Sequence, residues 1–142
     1  MSVRTDIFIS GGGIAGLTAA LALSHRGLSV VLADPTPPPS SDDSPTADLR
    51  STAFLQPAKG LFEELGLWKL LSEEAQPLEK LAVIDCAGHP PEPRTERVFE
   101  PTDLEEPVFG WNLPNWSTRK HLAEAAKQNS KIDIRFGTGF KS

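Results

Sequence analysis

Three glycines, Gly11, Gly13 and Gly16, form a G-x-G-x-x-G loop directly after Ile7, Phe8 and Ile9, and an aspartate, Asp34, follows 18 residues beyond the last of them. Glycine carries no reactive group, so the chemistry open to such a loop is binding. The first glycine permits a tight turn, the second lets backbone approach a pyrophosphate, and the third lets a strand and a helix pack closely. A phosphate held there meets the N-terminal end of the helix that follows, where Ile14 and Ala15 stand. A carboxylate at the end of the next strand can accept hydrogen bonds from both hydroxyls of a ribose, which argues against a ribose 2′-phosphate and hence against NADP. The alternative is a glycine-rich turn with Asp34 merely opening a loop. Spacing alone does not separate NAD from FAD.

The elements that must position these residues can be read from periodicity. Asp6 to Ser10 is a short buried strand stopped by glycines. Ile14, Leu17, Thr18 and Leu21 fall at i, i+3, i+4 and i+7, and Gly27 stands where a helix ending near Arg26 would take a left-handed cap. Ser29 to Ala33 is a second strand ending at Asp34. Strand, helix and strand in so short a span make a parallel βαβ unit. Pro35 to Pro45 is rich in Pro, Ser, Thr and Asp and reads as a mobile surface excursion. Helices are expected from about Pro57 to Gly66, with Leu61, Phe62 and Leu65 on one face, and from Leu67 to Ala75. Lys80 to Cys86, Arg94 to Phe99 and Val108 to Leu113 read as strands of antiparallel character. Ser117 to Gln128 reads as a helix with Ser117 as N-cap, Leu122, Ala125 and Ala126 inside and Glu124 and Lys127 outside, and Ile132 to Phe136 as a last strand.

Composition narrows the functions available. The 142 residues are 39% apolar and 23% charged, ordinary globular values, and carry a net charge of −5 from 14 Lys and Arg against 19 Asp and Glu. Basic residues are nowhere clustered, so nucleic acid is not expected as a partner. A single cysteine, Cys86, allows no intrachain disulfide and fits a reducing, cytoplasmic setting. In its apolar strand it reads as a small buried hydrophobe. The apolar run at the N-terminus is too short for a signal or a span, so any membrane contact is expected to be peripheral. His25, His89 and His121 share no metal-ligand spacing, and no metal site or catalytic triad is expected. Trp68, Trp111 and Trp116 could stack on a flat ring but read as core.

Three segments taken together resemble a known family: Asp6 to Leu17 (Asp-Ile-Phe-Ile-Ser-Gly-Gly-Gly-Ile-Ala-Gly-Leu), Asp48 to Phe54 (Asp-Leu-Arg-Ser-Thr-Ala-Phe) and Leu113 to Leu122 (Leu-Pro-Asn-Trp-Ser-Thr-Arg-Lys-His-Leu). They are similar to the FAD-dependent aromatic-ring monooxygenases, most closely the ubiquinone-biosynthesis hydroxylase branch. Glu64 to Trp68 and Ile84 to Gly88 extend the likeness along nearly the whole chain. The resemblance implies FAD as the cofactor in this fold, with Gly11, Gly13, Ile14, Ala15, Gly16 and Asp34 on its adenosine diphosphate half. It implies that Arg50 lies beside the flavin, where a guanidinium could bridge a pyrophosphate or a flavin carbonyl, and that Asn115 and Arg119 reach the flavin from the next helix. The alternatives are a surface Arg50 paired with Asp48, and Asn115 and Arg119 on the solvated face of an amphipathic helix.

The implied activity is hydroxylation of an aromatic ring, here a polyprenylated phenol. NAD(P)H reduces the flavin as a transient reductant, O2 adds at flavin C4a, and the hydroperoxide delivers one oxygen atom, so the reaction belongs to the cofactor and no side chain is assigned as catalytic. The rival readings are an NAD-dependent dehydrogenase, which would not need the segment around Arg50, and a non-catalytic nucleotide-binding module. The fold class is α/β: a Rossmann-like FAD-binding βαβ domain, incomplete, with the start of an antiparallel substrate-domain sheet. Residues 1–75 and 114–142 are assigned to the FAD-binding domain and 76–113 to the substrate-side strands. Family members are much longer, so the chain reads as a truncated N-terminal part, inactive alone and holding FAD weakly or not at all. Ile132, Ile134 and Phe136 are expected to lack part of their covering and to promote self-association. Localisation is expected to be cytoplasmic, peripheral to the inner membrane.

Overall fold

A computed structural model gives the fold, and residues 4–139 are described. The opening unit is β1 (Ile7–Ser10), α1 (Ile14–His25) and β2 (Val30–Asp34). The four apolar residues Val30, Val31, Leu32 and Ala33 are all buried, as suits the middle strand of a parallel sheet. β2 pairs in parallel with β1 on one side and with β8 (Ile132–Phe136) on the other, in the order β1-β2-β8. α1, rich in Ala and Leu, forms with little need of capping, and it ends as expected at Arg26 with Gly27 at φ +95°.

The chain returns to this sheet through α4 (Asn115–Gln128), which packs against α1 and β8. Leu17, Ala20 and Leu21 of α1, Val30 and Leu32 of β2, and Leu122, Ala123 and Ala126 of α4 make one core. Phe62 of α2 (Gln56–Glu64) extends it, edge-to-face with Phe54 at 5.3 Å between centroids. A short α3 (Trp68–Leu71) and a 3₁₀ turn (Ser72–Glu74) stand where one helix from Leu67 to Ala75 was expected.

The second sheet was only partly foreseen. β3 (Ser51–Leu55), β4 (Gln76–Leu78) and β7 (Gly110–Pro114) pair antiparallel in the order β3-β7-β4. β7 therefore joins β3 and β4, while β5 (Leu81–Ala87) and β6 (Glu92–Phe99) pair only with each other among the described residues. β3 and β7 approach closely at Gly110, where any Cβ would run into the Phe54 carbonyl. Their register, Ser51 against Pro114, sets residues 48–52 beside the start of α4. Both faces of the β5 and β6 hairpin are open to solvent, so Cys86 is exposed, correcting the buried reading.

Two further corrections bear on the site. α4 begins two residues before Ser117, with Pro114 as N-cap in extended conformation, and Ser117 is buried in the first turn. The caps come from distant backbone instead: the Asn115 amide donates to the Arg50 carbonyl (2.9 Å) and the Trp116 amide to the Asp48 carbonyl (3.2 Å). Nor is the stretch from Pro35 to Pro45 detached, since Pro39 is buried and the Thr36 carbonyl is held by Arg119.

Candidate dinucleotide site

The glycine loop turns out of β1 through Gly11, whose φ of +115° is open to glycine and costly for other residues. At Gly16 a Cβ would collide with the Gly11 carbonyl oxygen, so helix and loop touch backbone to backbone. Gly12, to which no role was given from sequence, is equally packed: a Cβ there would stand 3.0 Å from both Asp34 Cβ and Phe136 Cε1. Gly13 differs from all three. Its backbone is extended, φ −77° and ψ −177°, and a Cβ would meet nothing within 4 Å. The fold gives no reason for glycine there.

Gly13 is the N-cap of α1, and no side chain caps that end. The first amides of the helix, those of Ile14, Ala15 and Gly16, lie in the turn that intrahelical bonds leave open, with the positive end of the helix dipole behind them. Gly13 and Ile14 line a cleft of about 460 Å³. Asp34, Thr36, Pro39 and Thr46 contribute to its lining from the end of β2 and the chain after it, and Asp48, Asn115, Trp116 and Arg119 from the segment before β3 and from α4. The cleft lies at the carboxyl ends of β1 and β2, where open parallel sheets bind their ligands.

Asp34 braces the loop as well as facing the cleft. Its Oδ2 accepts from the Gly12 amide (2.6 Å) and its Oδ1 from the Thr36 amide (2.7 Å). Arg119 reaches in from α4: its Nε donates to the Gly12 carbonyl (2.8 Å), and one terminal nitrogen donates to the Thr36 carbonyl and lies 3.5 Å from Asp34 Oδ1. Both side chains are largely buried, 17% exposed for Arg119 and 15% for Asp34. A single arginine thus ties α4 to the glycine loop and to the segment that follows β2.

Asp48 is the second carboxylate of the lining. Arg50 donates to it from Nε and from a terminal nitrogen, each at 2.8 Å, and Asn115 Nδ2 donates at 2.9 Å. Those bonds, Arg50 first, hold the Asp48 carboxyl well below the usual carboxylate range, and Asp48 in turn raises the Arg50 guanidinium. Asn115 Oδ1 accepts from the Thr52 hydroxyl (2.6 Å), which fixes the orientation of its amide.

Of the residues singled out from sequence, Gly13, Ile14, Asp34, Asn115 and Arg119 line the cleft. Gly11 and Gly16 shape the loop from behind. Ala15 faces an adjoining apolar groove of about 540 Å³, which shares Ile14 with the cleft. Arg50, its side chain 84% exposed, is paired with Asp48 and does not line the cleft. Trp116 lines it, correcting the core reading, whereas Trp68 and Trp111 stack edge-to-face at 5.1 Å between centroids. Gly12, Thr36, Pro39 and Thr46 were missed. Gly12 had a signal, being the one further glycine inside the loop; the others lie in a stretch whose composition speaks only of a loop.

Comparison with known proteins names the ligand class this architecture serves. The sequence model of a family described as an FAD binding domain matches residues 4–142. The chain belongs to that FAD-binding domain family. Within it, the chain is 31% identical over 146 residues to a ubiquinone hydroxylase, UbiM, of Neisseria meningitidis, a match covering 99% of this chain and 30% of that protein. It is 38% identical over 80 residues to the ubiquinone hydroxylase UbiL of Rhodospirillum rubrum, covering 56% of this chain and 18% of the relative. Among solved structures it is similar to the flavin-dependent monooxygenase PieE in complex with FAD and substrate, with a TM-score of 0.70 and 26% identity, covering 99% of this chain and 25% of PieE. The chain spans about a third or less of the length of each of these proteins. The FAD-dependent aromatic hydroxylase family and its ubiquinone branch, read from three sequence segments, are therefore supported, as is the α/β fold class of a parallel FAD-binding sheet with antiparallel sheets beside it. Among the described residues no helix is long and apolar enough to cross a membrane, and no group of three or more His, Cys, Asp or Glu could hold a metal.

Proposed function

We propose that this chain holds the adenosine diphosphate half of FAD in an enzyme that hydroxylates a polyprenylated phenol. The observation that carries the reading is Gly13, a glycine with ordinary extended backbone and free space in front of it, at the uncapped start of a 12-residue helix and on the wall of the cleft. A side chain there would fill space that nothing in the protein uses, and a pyrophosphate drawn to the helix end needs that space. In this reading Gly13, Ile14, Ala15 and Gly16 offer backbone amides to the pyrophosphate, Gly11 shapes their turn, and Asp34 accepts from the ribose. Asn115 and Arg119 border the same cleft, and Arg50 stands one hydrogen bond behind its wall, on Asp48.

FAD supplies the redox and oxygen chemistry when bound, with NAD(P)H as transient reductant. The protein's own part is to orient the cofactor and exclude water. We assign residues 1–75 and 114–142 to the FAD-binding domain and 76–113 to the substrate-side strands. An apolar substrate fits a cytoplasmic enzyme peripheral to the inner membrane. The chain alone self-associates through a sheet edge. Titrating the protein separately with FAD, ADP and NAD⁺, followed by calorimetry, tests the reading. Weak binding of FAD and ADP with weaker or no binding of NAD⁺ is expected; a clear preference for NAD⁺ would favour a dehydrogenase, and no binding of any of them would leave the nucleotide reading without support.

A further inference from the structure

β8 is an outer strand of the parallel sheet, paired with β2 alone among the described residues and in unbroken register over its whole length. The Val30 amide donates to the Lys131 carbonyl (2.9 Å), and alternation along the strand then aims the backbone groups of Asp133 and Arg135 at β2 and those of Ile132, Ile134 and Phe136 outward. The Ile132 amide is taken by the Asn129 carbonyl (3.0 Å). The outward groups of Ile134 and the Phe136 amide have no partner among the described residues. Ile132 is buried, contrary to the expectation that it would lack covering, while Ile134 and Phe136 are half-buried. Asp133 and Arg135, bonded to each other at 2.6 Å, lie on the solvent face.

This order of residues is complementary to itself. If two copies meet antiparallel with Ile134 opposite Ile134, then Ile132 faces Phe136 on the core side and Asp133 faces Arg135 on the solvent side, in both directions. The two Ile134 residues exchange N–H···O bonds, and each Phe136 amide reaches the Ile132 carbonyl of the second copy. The usual defences of an edge, a proline or a bulge, are missing from β8. β6, by contrast, has both within its length, Pro93 and a register shift opposite Asp85 and Cys86.

We propose that β8 is a homotypic docking edge, through which two copies of this chain join antiparallel and their parallel sheets run into one. The proposal rests on the self-association stated above and names its surface. Five residues make a small seam, so the dimer is weak and forms with rising concentration.

Sedimentation over a concentration series tests it with Asp133→Arg, Arg135→Asp and the double variant. Each single change sets like charges opposite each other twice and weakens the dimer on the order of tenfold, and the double exchange restores it. Amide exchange of the unaltered protein is the second reading, independent of any variant. Ile134 and Phe136 should exchange more slowly as concentration rises, while Asp133 and Arg135, already bonded to β2, should not change. Association that ignores both single variants, with exchange at Ile134 and Phe136 independent of concentration, would overturn the β8 edge and point to another surface such as β5. A monomer at every concentration would overturn self-association itself.

Discussion

Replacing Asp34 by alanine removes a carboxylate that does two things at once, and the two can be measured apart. Without ligand, Asp34 accepts from the Gly12 and Thr36 amides at 2.6 and 2.7 Å and offsets Arg119 at 3.5 Å. Each hydrogen bond to a charged acceptor contributes roughly 1.5–3 kcal/mol. The two share one carboxylate that retains some solvent contact, so the combined loss is discounted to roughly 2–4 kcal/mol. At about 2–4 °C per kcal/mol for a chain of this size, the melting temperature of the ligand-free protein should fall by roughly 5–15 °C. Asp34→Asn keeps one acceptor oxygen but turns an amide group toward the other donor, so it should fall between wild type and alanine. Thermal melts by circular dichroism give the first loss, and FAD titration at a temperature where all three proteins are folded gives the second. A fall below about 2 °C for Asp34→Ala would refute the bracing role derived from these distances. Unchanged FAD affinity in a folded variant would instead move the ribose contact elsewhere.

Other outcomes follow from the same geometry. Gly13→Ala should leave stability unchanged or raise it by about 0.4–1 kcal/mol, because its backbone suits any residue and no atom stands in the way, while weakening FAD binding. Gly16→Ala should do the reverse, destabilising the ligand-free fold by about 1–3 kcal/mol through collision with the Gly11 carbonyl; parallel melts of the two variants compare them directly. Arg50→Ala should leave the ligand-free melting temperature nearly unchanged, since the side chain is exposed, yet lower FAD retention; equal melting losses with and without FAD would make it structural. Asp48 is held below the ordinary carboxylate range, so its stabilising contribution is present above the unfolded value near 3.8 and is lost as pH falls below it. Melts between pH 5 and pH 2 should therefore show less acid sensitivity in Asp48→Asn than in wild type.

The parallel half of the fold was legible because its signals are local. Gly11, Gly13 and Gly16, the buried run from Val30 to Ala33, and the strand Ile132–Phe136 each announce themselves within a few residues. β3 and β4 were not. Ser51–Leu55 pairs with a strand some sixty residues later, and Gln76–Leu78 is three residues long with a proline inside, so no local pattern marks either. The start of α4 was misplaced for a related reason: its first amides are capped by the Asp48 and Arg50 carbonyls, which only the tertiary fold delivers. Cys86 was read as buried from its apolar neighbours, but nothing described covers the β5 and β6 hairpin. At the site, sequence named half of the cleft lining, and the alternative it left open for Arg50, a surface pair with Asp48, is the arrangement found; it could not foresee that Arg119 would spend donors on the Gly12 and Thr36 carbonyls.

The claim that the helix end behind Gly13 is built for a pyrophosphate is tested most directly by amide chemical shifts of the isotope-labelled chain titrated with ADP, the half of the cofactor this cleft would hold. The account predicts that the amides of Gly13, Ile14, Ala15 and Gly16 move together and saturate with one affinity, that Asp34 and Thr36 follow, and that adenosine without phosphate moves the loop amides far less. Saturation with the loop amides unmoved, or shifts confined to the apolar groove beyond Ile14, would contradict it.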